Sequence, residues 1–408
     1  MTGSALEHRL QAGLEQVRAQ NLYRTRRVID GGHGARIRVD GRECINFCSN
    51  DYLGLAADPR IAEAARAALS HCGTGSGAAA LVSGYNHEHR ALEEALAEFT
   101  GRPRALLFST GWAANLGVLR ALLGKDDVLL ADELNHASLI DGGRLSGAHY
   151  RRIPHADVAA FAAALAEGAG DTSPLRMIAT DSVFSMDGDL APLPQLANLV
   201  QQHGAALMID DAHGFGVLGP RGRGAVELLT AQGAVFPDPE IYVATLGKAI
   251  GCGGAFVAGS EALIEYLIQR ARSWIFSTAP PPALAAAARR GLQIIDQEPE
   301  HRRRALANLQ RFRAGAAQLG IPLAASQTPI QPLIVGDAAR ALEMSQRLFE
   351  QGLWVAAIRP PTVPRGTSRL RITLSAAHRD EDIDRLLDAL ARVTDSASVP
   401  ADLAASTV

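Results

Sequence analysis

The sequence predicts an α/β protein with a large, mostly parallel sheet and a smaller α+β domain toward its C-terminal end. Three observations predict it. Short apolar runs recur at Leu106–Phe108, Val128–Ala131, Met177–Thr180, Ala205–Ile209 and Ile241–Ala244, as buried parallel strands read. Several of these runs stop abruptly at polar residues, among them Asp132, Asp210 with Asp211, and Thr245. Beyond Pro280-Pro281-Pro282 the character changes to long Ala/Leu/Arg-rich helical patterns, Ala283 to Leu319, followed by short strands.

Taken in order, Leu6, Leu10, Leu14 and Val17 fall at helical spacing and make an amphipathic arm that ends in Arg24-Thr25-Arg26-Arg27. The turn Gly31-Gly32-His33-Gly34 leads to a hairpin of Ile37–Val39 and Cys44–Phe47. Ile61–Ser70 is Ala-rich and helical. The glycines that follow it, Gly73-Thr74-Gly75-Ser76-Gly77-Ala78, fit a dinucleotide pattern only by letter, because that fingerprint must follow a strand. Leu106–Phe108 is followed by Ser109-Thr110-Gly111-Trp112, a turn into a helix through Ala113, Leu116 and Leu119. The C-terminal part reads as a strand at Ile330–Val335, a helix at Ala338–Gln351, strands at Leu353–Ile358 and Leu370–Leu374, and a last helix from Asp380 to Val393. The expected domains are an arm and hairpin over 1–50, a cofactor-binding α/β domain over 51–280, a small α+β domain over 281–395 and a flexible tail over 396–408.

Composition narrows the function. The 408 residues are 47% hydrophobic with a formal net charge of −3, so no basic field points to nucleic acid. Cys44, Cys48, Cys72 and Cys252 follow neither a metal nor a disulfide spacing, which suits a reducing cytoplasm. The longest apolar run, Val158–Ala166, falls short of the ~18 residues that span a bilayer. Glu7 and Glu15 sit where a signal peptide would carry an apolar segment, so none is expected. No metal ligand set is present, and His71, His87, His89 and His155 read as structural.

The chemistry concentrates between Ala205 and Gly259. Asp210, His213 and Lys248 lie just past the carboxyl ends of two strands, where open α/β sheets bind ligands. A lysine amine can condense with a carbonyl, and an acid can hold a proton on a ring nitrogen, so the pair suggests pyridoxal phosphate. Glycines at 247, 251, 253 and 254 leave room for a flat ring. A phosphate-loop reading of Gly247-Lys248 fails, since Ala249 stands where Ser or Thr is needed. Gly111 and Trp112, at a helix start with bare N–H groups, form a credible phosphate cup. His136 sits at another carboxyl edge.

DSVFSMDGDLAPL (Asp181–Leu193), IDDAHGFGVLGPRGRG (Ile209–Gly224) and TLGKAIG (Thr245–Gly251) resemble the α-oxoamine synthases, pyridoxal-phosphate enzymes of the aspartate-aminotransferase fold, type I. NFCSNDYLGL (Asn46–Leu55), GTGSG (Gly73–Gly77), LNHASLIDG (Leu134–Gly142) and AIRPPTVPRGTSRLRITLSAAH (Ala357–His378) carry the likeness over residues 20 to 393. Ala78-Ala79-Ala80 departs from it, where Gly-Ser-Arg is common.

The resemblance implies that Lys248 carries the cofactor and then moves the substrate α-proton, while Asp210 holds the ring nitrogen protonated. It implies that His136 stacks on the ring and holds substrate, that His213 bonds the phenolic oxygen, and that Thr245 and Ser185 position phosphate and ring. Asn50 and Arg371 would meet the amino-acid carboxylate, and Arg24 an acidic substrate. Arg359 and Thr362 are candidates for the acyl substrate. Arg369 shares a strand face with Arg371, and a solvated arginine is an equal reading for it. SNDYLGL and AIRPPTVP most resemble the member that condenses L-alanine with a pimeloyl thioester, on coenzyme A or acyl carrier protein, as a homodimer. A sibling using glycine or serine, and a non-catalytic scaffold of the same fold, are the alternatives.

Overall fold

The computed structural model describes residues 4–167 and 174–395, so the expected tail at 396–408 lies outside the described residues. The chain divides into two units. One takes 50–185 and 189–305; the other takes 186–188 and the described parts of 1–49 and 306–408. The division therefore falls inside the helix Glu300–Gln318 rather than at 280/281, and the arm groups with the C-terminal residues.

The larger unit is built on a seven-stranded sheet in the order Arg104–Phe108, Ala255–Gly259, Ile241–Thr245, Ala206–Asp210, Arg176–Asp181, Val128–Asp132, His149–Ile153. Ala255–Gly259 runs antiparallel to both neighbours and the remaining pairs are parallel. Every residue of Ala255–Gly259, and all but one of Ile241–Thr245, is buried, as strands covered on both faces must be. Leu106, Met177, Met208, Val243 and Val257 share one core cluster with Val118 and Leu119 of the helix Gly111–Leu122.

Pro280–Pro282 is a helix start, not a domain boundary. Pro282 stands at the first turn of Pro282–Gln297, where a missing N–H costs nothing. That helix packs its alanine-rich face on Pro59–Cys72 and His87–Thr100, with Ala283 and Ala286 against Ala68. Small residues let the helix axes approach, so a run that composition assigned elsewhere belongs to the larger unit.

The smaller unit holds a four-stranded sheet, Ile29–Asp30, Arg36–Val39, Arg42–Asn46 and Leu353–Trp354, and a three-stranded one, Ile330–Gly336, Ser368–Thr373 and Ala356–Ile358. The single strand expected at 353–358 is thus two strands in two sheets, with Val355 between them. Phe312, Leu348, Leu370, Ile383 and Leu386 form its core. The arm helix Ala5–Ala19 buries no side chain and leaves Leu6, Leu10 and Leu14 exposed. Among the described residues no helix is long and apolar enough to cross a membrane.

Candidate active site

Asp210 closes its strand, and Lys248 lies three residues past the end of the neighbouring one. The loop carrying the lysine is closed by its own main chain: Gly251 N–H donates to Lys248 O at 2.9 Å, Cys252 N–H to Leu246 O at 2.9 Å and Leu246 N–H to Gly254 O at 2.9 Å. Thr245 Oγ1 donates to Gly254 O at 3.0 Å and accepts from Gly247 N at 3.2 Å. Gly251 adopts φ +73°, and a Cβ there would stand 2.4 Å from Ala56 N, so only glycine fits.

Lys248 Nζ lies 3.0 Å from His213 Nε2, and His213 Nδ1 lies 2.5 Å from Tyr52 Oη. Tyr52 Oη donates to Asn50 Oδ1 at 3.2 Å. The directions are consistent when an ammonium donates to Nε2: Nδ1 then carries the imidazole proton and donates to Tyr52, whose hydroxyl passes on to Asn50. Tyr52 is 1% exposed, so its hydroxyl has no competing solvent.

A second chain begins at Asp210. Its Oδ2 accepts from Asn115 Nδ2 at 2.7 Å and its Oδ1 from Ala212 N at 3.0 Å. The same Nδ2 donates to Ser138 Oγ at 2.8 Å, and Ser138 Oγ lies 2.7 Å from His136 Nδ1. Ser138 N–H also donates to that nitrogen, at 3.3 Å, so Nδ1 is the acceptor and the proton sits on Nε2. Burial lowers the His136 pKa, against the pull of Asp210 and with the push of Lys248, which keeps the ring neutral. Asp181 accepts the His136 amide at 2.6 Å; burial and then Asp210 raise its pKa well above the carboxylate range.

The paired aspartates split their work. Asp211 is fully buried and accepts from Tyr242 Oη at 2.8 Å, from Ala225 N at 3.1 Å and from Ser182 Oγ. Burial lifts it to about 7. A Cβ at Gly224 would stand 1.7 Å from its Oδ2, which explains a glycine there. Asp211 ties the loop down and leaves Asp210 to face a ligand.

Thr110 caps the helix Gly111–Leu122, accepting from Ala113 N at 3.0 Å. The Gly111 and Trp112 amides precede the first intrahelical bonds and suit an anion. Nothing lies within 4 Å of a Cβ built on Gly111, so the cradle is open. Trp112 is partly exposed and meets the His136 ring edge-on, centroids 6.3 Å apart. Ser185 is half-buried on the loop after Arg176–Asp181. A carboxylate, a lysine, a neutral histidine and a helix N-terminus on one unit fit a group with a ring nitrogen, a carbonyl and a phosphate.

The other substrate candidates lie on the smaller unit. Arg24 is exposed. Arg359 bonds the carbonyls of Asn21 and Tyr23, the latter at 3.4 Å, and both burial and Arg24 lower its pKa. Thr362 N–H donates to Arg359 O at 3.1 Å. Arg371 is 6% exposed on the central strand of the three-stranded sheet and donates to Thr373 Oγ1 at 3.1 Å. Arg369 is not solvated: it is 4% exposed and paired with Asp187. Sequence reasoning missed Asn115, Ser138, Tyr52 and Asp181; Tyr52 lies inside SNDYLGL, Ser138 inside LNHASLIDG and Asp181 at the head of DSVFSMDGDLAPL, whereas Asn115 lies in none of these stretches.

The sequence model of the family Aminotransferase class I and II matches residues 42–390. An 8-amino-7-oxononanoate synthase from Methylococcus capsulatus is 57% identical over 93% of this chain and 97% of its own. A serine palmitoyltransferase from S. paucimobilis, solved with PLP and myriocin bound, is 28% identical at a TM-score of 0.88, covering 97% and 99% of the two chains. The 8-amino-7-oxononanoate synthase of Francisella tularensis is 31% identical at a TM-score of 0.72, covering 86% and 97%.

Proposed function

From the premise that the chain belongs to the aminotransferase class I and II family, we propose that it catalyses the decarboxylative condensation of L-alanine with a pimeloyl thioester. The products are 8-amino-7-oxononanoate, carbon dioxide and the free thiol. The chain is a pyridoxal-phosphate-dependent acyltransferase of fold type I, and its relatives at 51–57% identity are 8-amino-7-oxononanoate synthases. The observation that carries the reading is Lys248 Nζ at 3.0 Å from His213, one strand away from Asp210.

Pyridoxal phosphate, when bound, supplies a carbonyl for the lysine and a ring that takes up the electron pair left when a bond to the α-carbon breaks. Lys248 would hold the group covalently, and its amine is the base that would move the α-proton. His213 accepts from that amine and passes orientation to Tyr52 and Asn50. Asp210, oriented by Asn115 and the Ala212 amide, holds the ring-nitrogen proton. Gly111 and Trp112 would offer amides to the phosphate, and Thr245 and Ser185 would position phosphate and ring. Neutral His136 covers the ring and gives an uncharged N–H donor to the substrate. Asn50, on the larger unit, is a candidate for the amino-acid carboxylate; Arg371, on the smaller unit, carries a guanidinium fork of the kind that suits such a planar acceptor. Arg24, Arg359 and Thr362 take the acyl partner, whose carboxylate or phosphates match the charge of the two arginines. The working form is a homodimer in the cytoplasm; a fully active monomer in sedimentation would sink that part.

The test is the absorbance of purified protein before and after L-alanine, glycine or L-serine, and then pimeloyl-CoA, with Lys248→Ala as control. The expected cofactor band is lost in the variant, shifts with L-alanine and changes again with pimeloyl-CoA. A shift with glycine or serine alone would overturn the substrate, and no band after cofactor addition would overturn the chemistry.

A further inference from the structure

His155 takes part in none of the contacts above, yet it is held more firmly than a loop histidine needs to be. It follows the strand His149–Ile153 and precedes Ala156, a non-glycine residue at φ +53°. Its Nδ1 lies 3.0 and 3.2 Å from the two carboxylate oxygens of Asp132, and its Nε2 lies 2.8 Å from Asp189 Oδ2. The edge of its ring meets Phe184, centroids 4.4 Å apart.

Carboxylates on both ring nitrogens require two N–H groups, which only the imidazolium has. A neutral ring would turn a lone pair toward one carboxylate. Asp132 is almost fully buried and has no water to fall back on; the Asp189 side chain is 29% exposed, but its Oδ1 is buried without a hydrogen-bond partner. Burial by itself would lower the His155 pKa; the bonds to Asp132 and then Asp189 outweigh it and raise it to about 10. The charged groups facing the ring are these two aspartates. Glu133 meets only the His155 amide, at 3.3 Å, and Arg152 meets the Glu133 carbonyl at 2.5 Å.

Each aspartate organises a separate loop. Asp132 ends its strand and accepts from Leu134 N at 2.8 Å and Ala156 N at 2.7 Å, fixing the turn that delivers His136. Asp189 closes the return of the chain after Arg176–Asp181: its carbonyl accepts from Phe184 N at 3.0 Å, and Val183 bridges Leu190 around Ser185. We propose that His155 is a positioning residue, a cationic clamp between Asp132 and Asp189 that sets the loops presenting His136 and Ser185. The clamp rests on the reading above that those two side chains meet the cofactor.

Two variants of the holoenzyme test it. His155→Gln can satisfy only one aspartate as a donor, whereas Asp189→Asn keeps an acceptor oxygen and removes one charge. Three readings are taken: the NMR titration of the His155 ring, the circular dichroism of the bound-cofactor band, and kcat and KM for L-alanine from pH 6 to 11. Loss of one charged hydrogen bond corresponds to about 10- to 150-fold, so kcat of His155→Gln should fall by about that factor, with a smaller change in KM and an altered cofactor band. Asp189→Asn should move both the ring titration and the alkaline fall of kcat to lower pH. The clamp is overturned if the wild-type ring titrates near 6.5, or if both variants keep the wild-type band and pH profile. Should His155→Gln fail to fold, Asp189→Asn decides alone. A wild-type protein that takes up no cofactor overturns the functional reading and the clamp's role in it, and the ring titration then still reports whether the imidazolium exists.

Discussion

Replacing Asn115 with alanine isolates the contact that the sequence concealed. The amide is fully buried and donates to Asp210 Oδ2 at 2.7 Å and to Ser138 Oγ at 2.8 Å. A hydrogen bond to a charged acceptor contributes ~1.5–3 kcal/mol. After the substitution Asp210 keeps the Ala212 amide and loses the donor to its other oxygen. If the loss falls on the bound state, where the carboxylate must face a ring N–H in fixed orientation, ~1.5–3 kcal/mol becomes about a 10- to 150-fold weaker cofactor dissociation constant. The assay is a spectrophotometric titration of apoprotein with pyridoxal phosphate for wild type, Asn115→Ala, Asp210→Asn and the double variant. Asn115 acts through Asp210, so the double variant should bind no worse than Asp210→Asn alone, giving a coupling above ~1 kcal/mol. Additive losses, or an unchanged constant for Asn115→Ala, would refute the reasoning.

Tyr52→Phe deletes the hydroxyl that joins His213 to Asn50; steady-state kinetics should show kcat down ~10-fold with a melting temperature nearly unchanged, the size of one hydrogen bond in the site. Gly251→Ala places a Cβ 2.4 Å from the Ala56 nitrogen at φ +73°, so thermal unfolding should show destabilisation above ~2 kcal/mol, with loss of soluble yield as the extreme. The raised pKa of His155 makes stability depend on pH in a set direction. The group holds more protons folded than unfolded, so its contribution is complete below ~6.5 and lost as pH rises through about 10. Melting temperatures of wild type and His155→Gln should therefore converge across that window; a constant gap to pH 11 would contradict it.

The strand ends were legible because a buried strand leaves a plain trace, an apolar run cut off by a charge. Asp210, Lys248 and His136 all announced themselves that way. Their partners did not. Asn115 lies mid-helix and Ser138 in the first turn of another, and nothing local separates an amide that reaches Asp210, 95 residues on, from one that faces water. Arg369 alternates with Arg371 just as a solvated arginine would, and its burial depends on Asp187 arriving from far along the chain. The boundary at 280/281 followed a change of composition, but alanine-rich helices pack on a neighbour as readily as they open a domain. His155 read as structural because a histidine's significance lies in what faces its second nitrogen.

The loop of Lys248 joins its two ends through main-chain hydrogen bonds and seats Gly251 where no side chain fits. The backbone beneath the lysine therefore has nowhere to go. Whatever distance the amine travels between holding one partner and serving the next is covered by four methylenes turning about their own bonds. A tether of that kind moves in the time of a rotamer change, not of a loop. In such a design the reach of the amine is set by the side chain, while the anchor stays still.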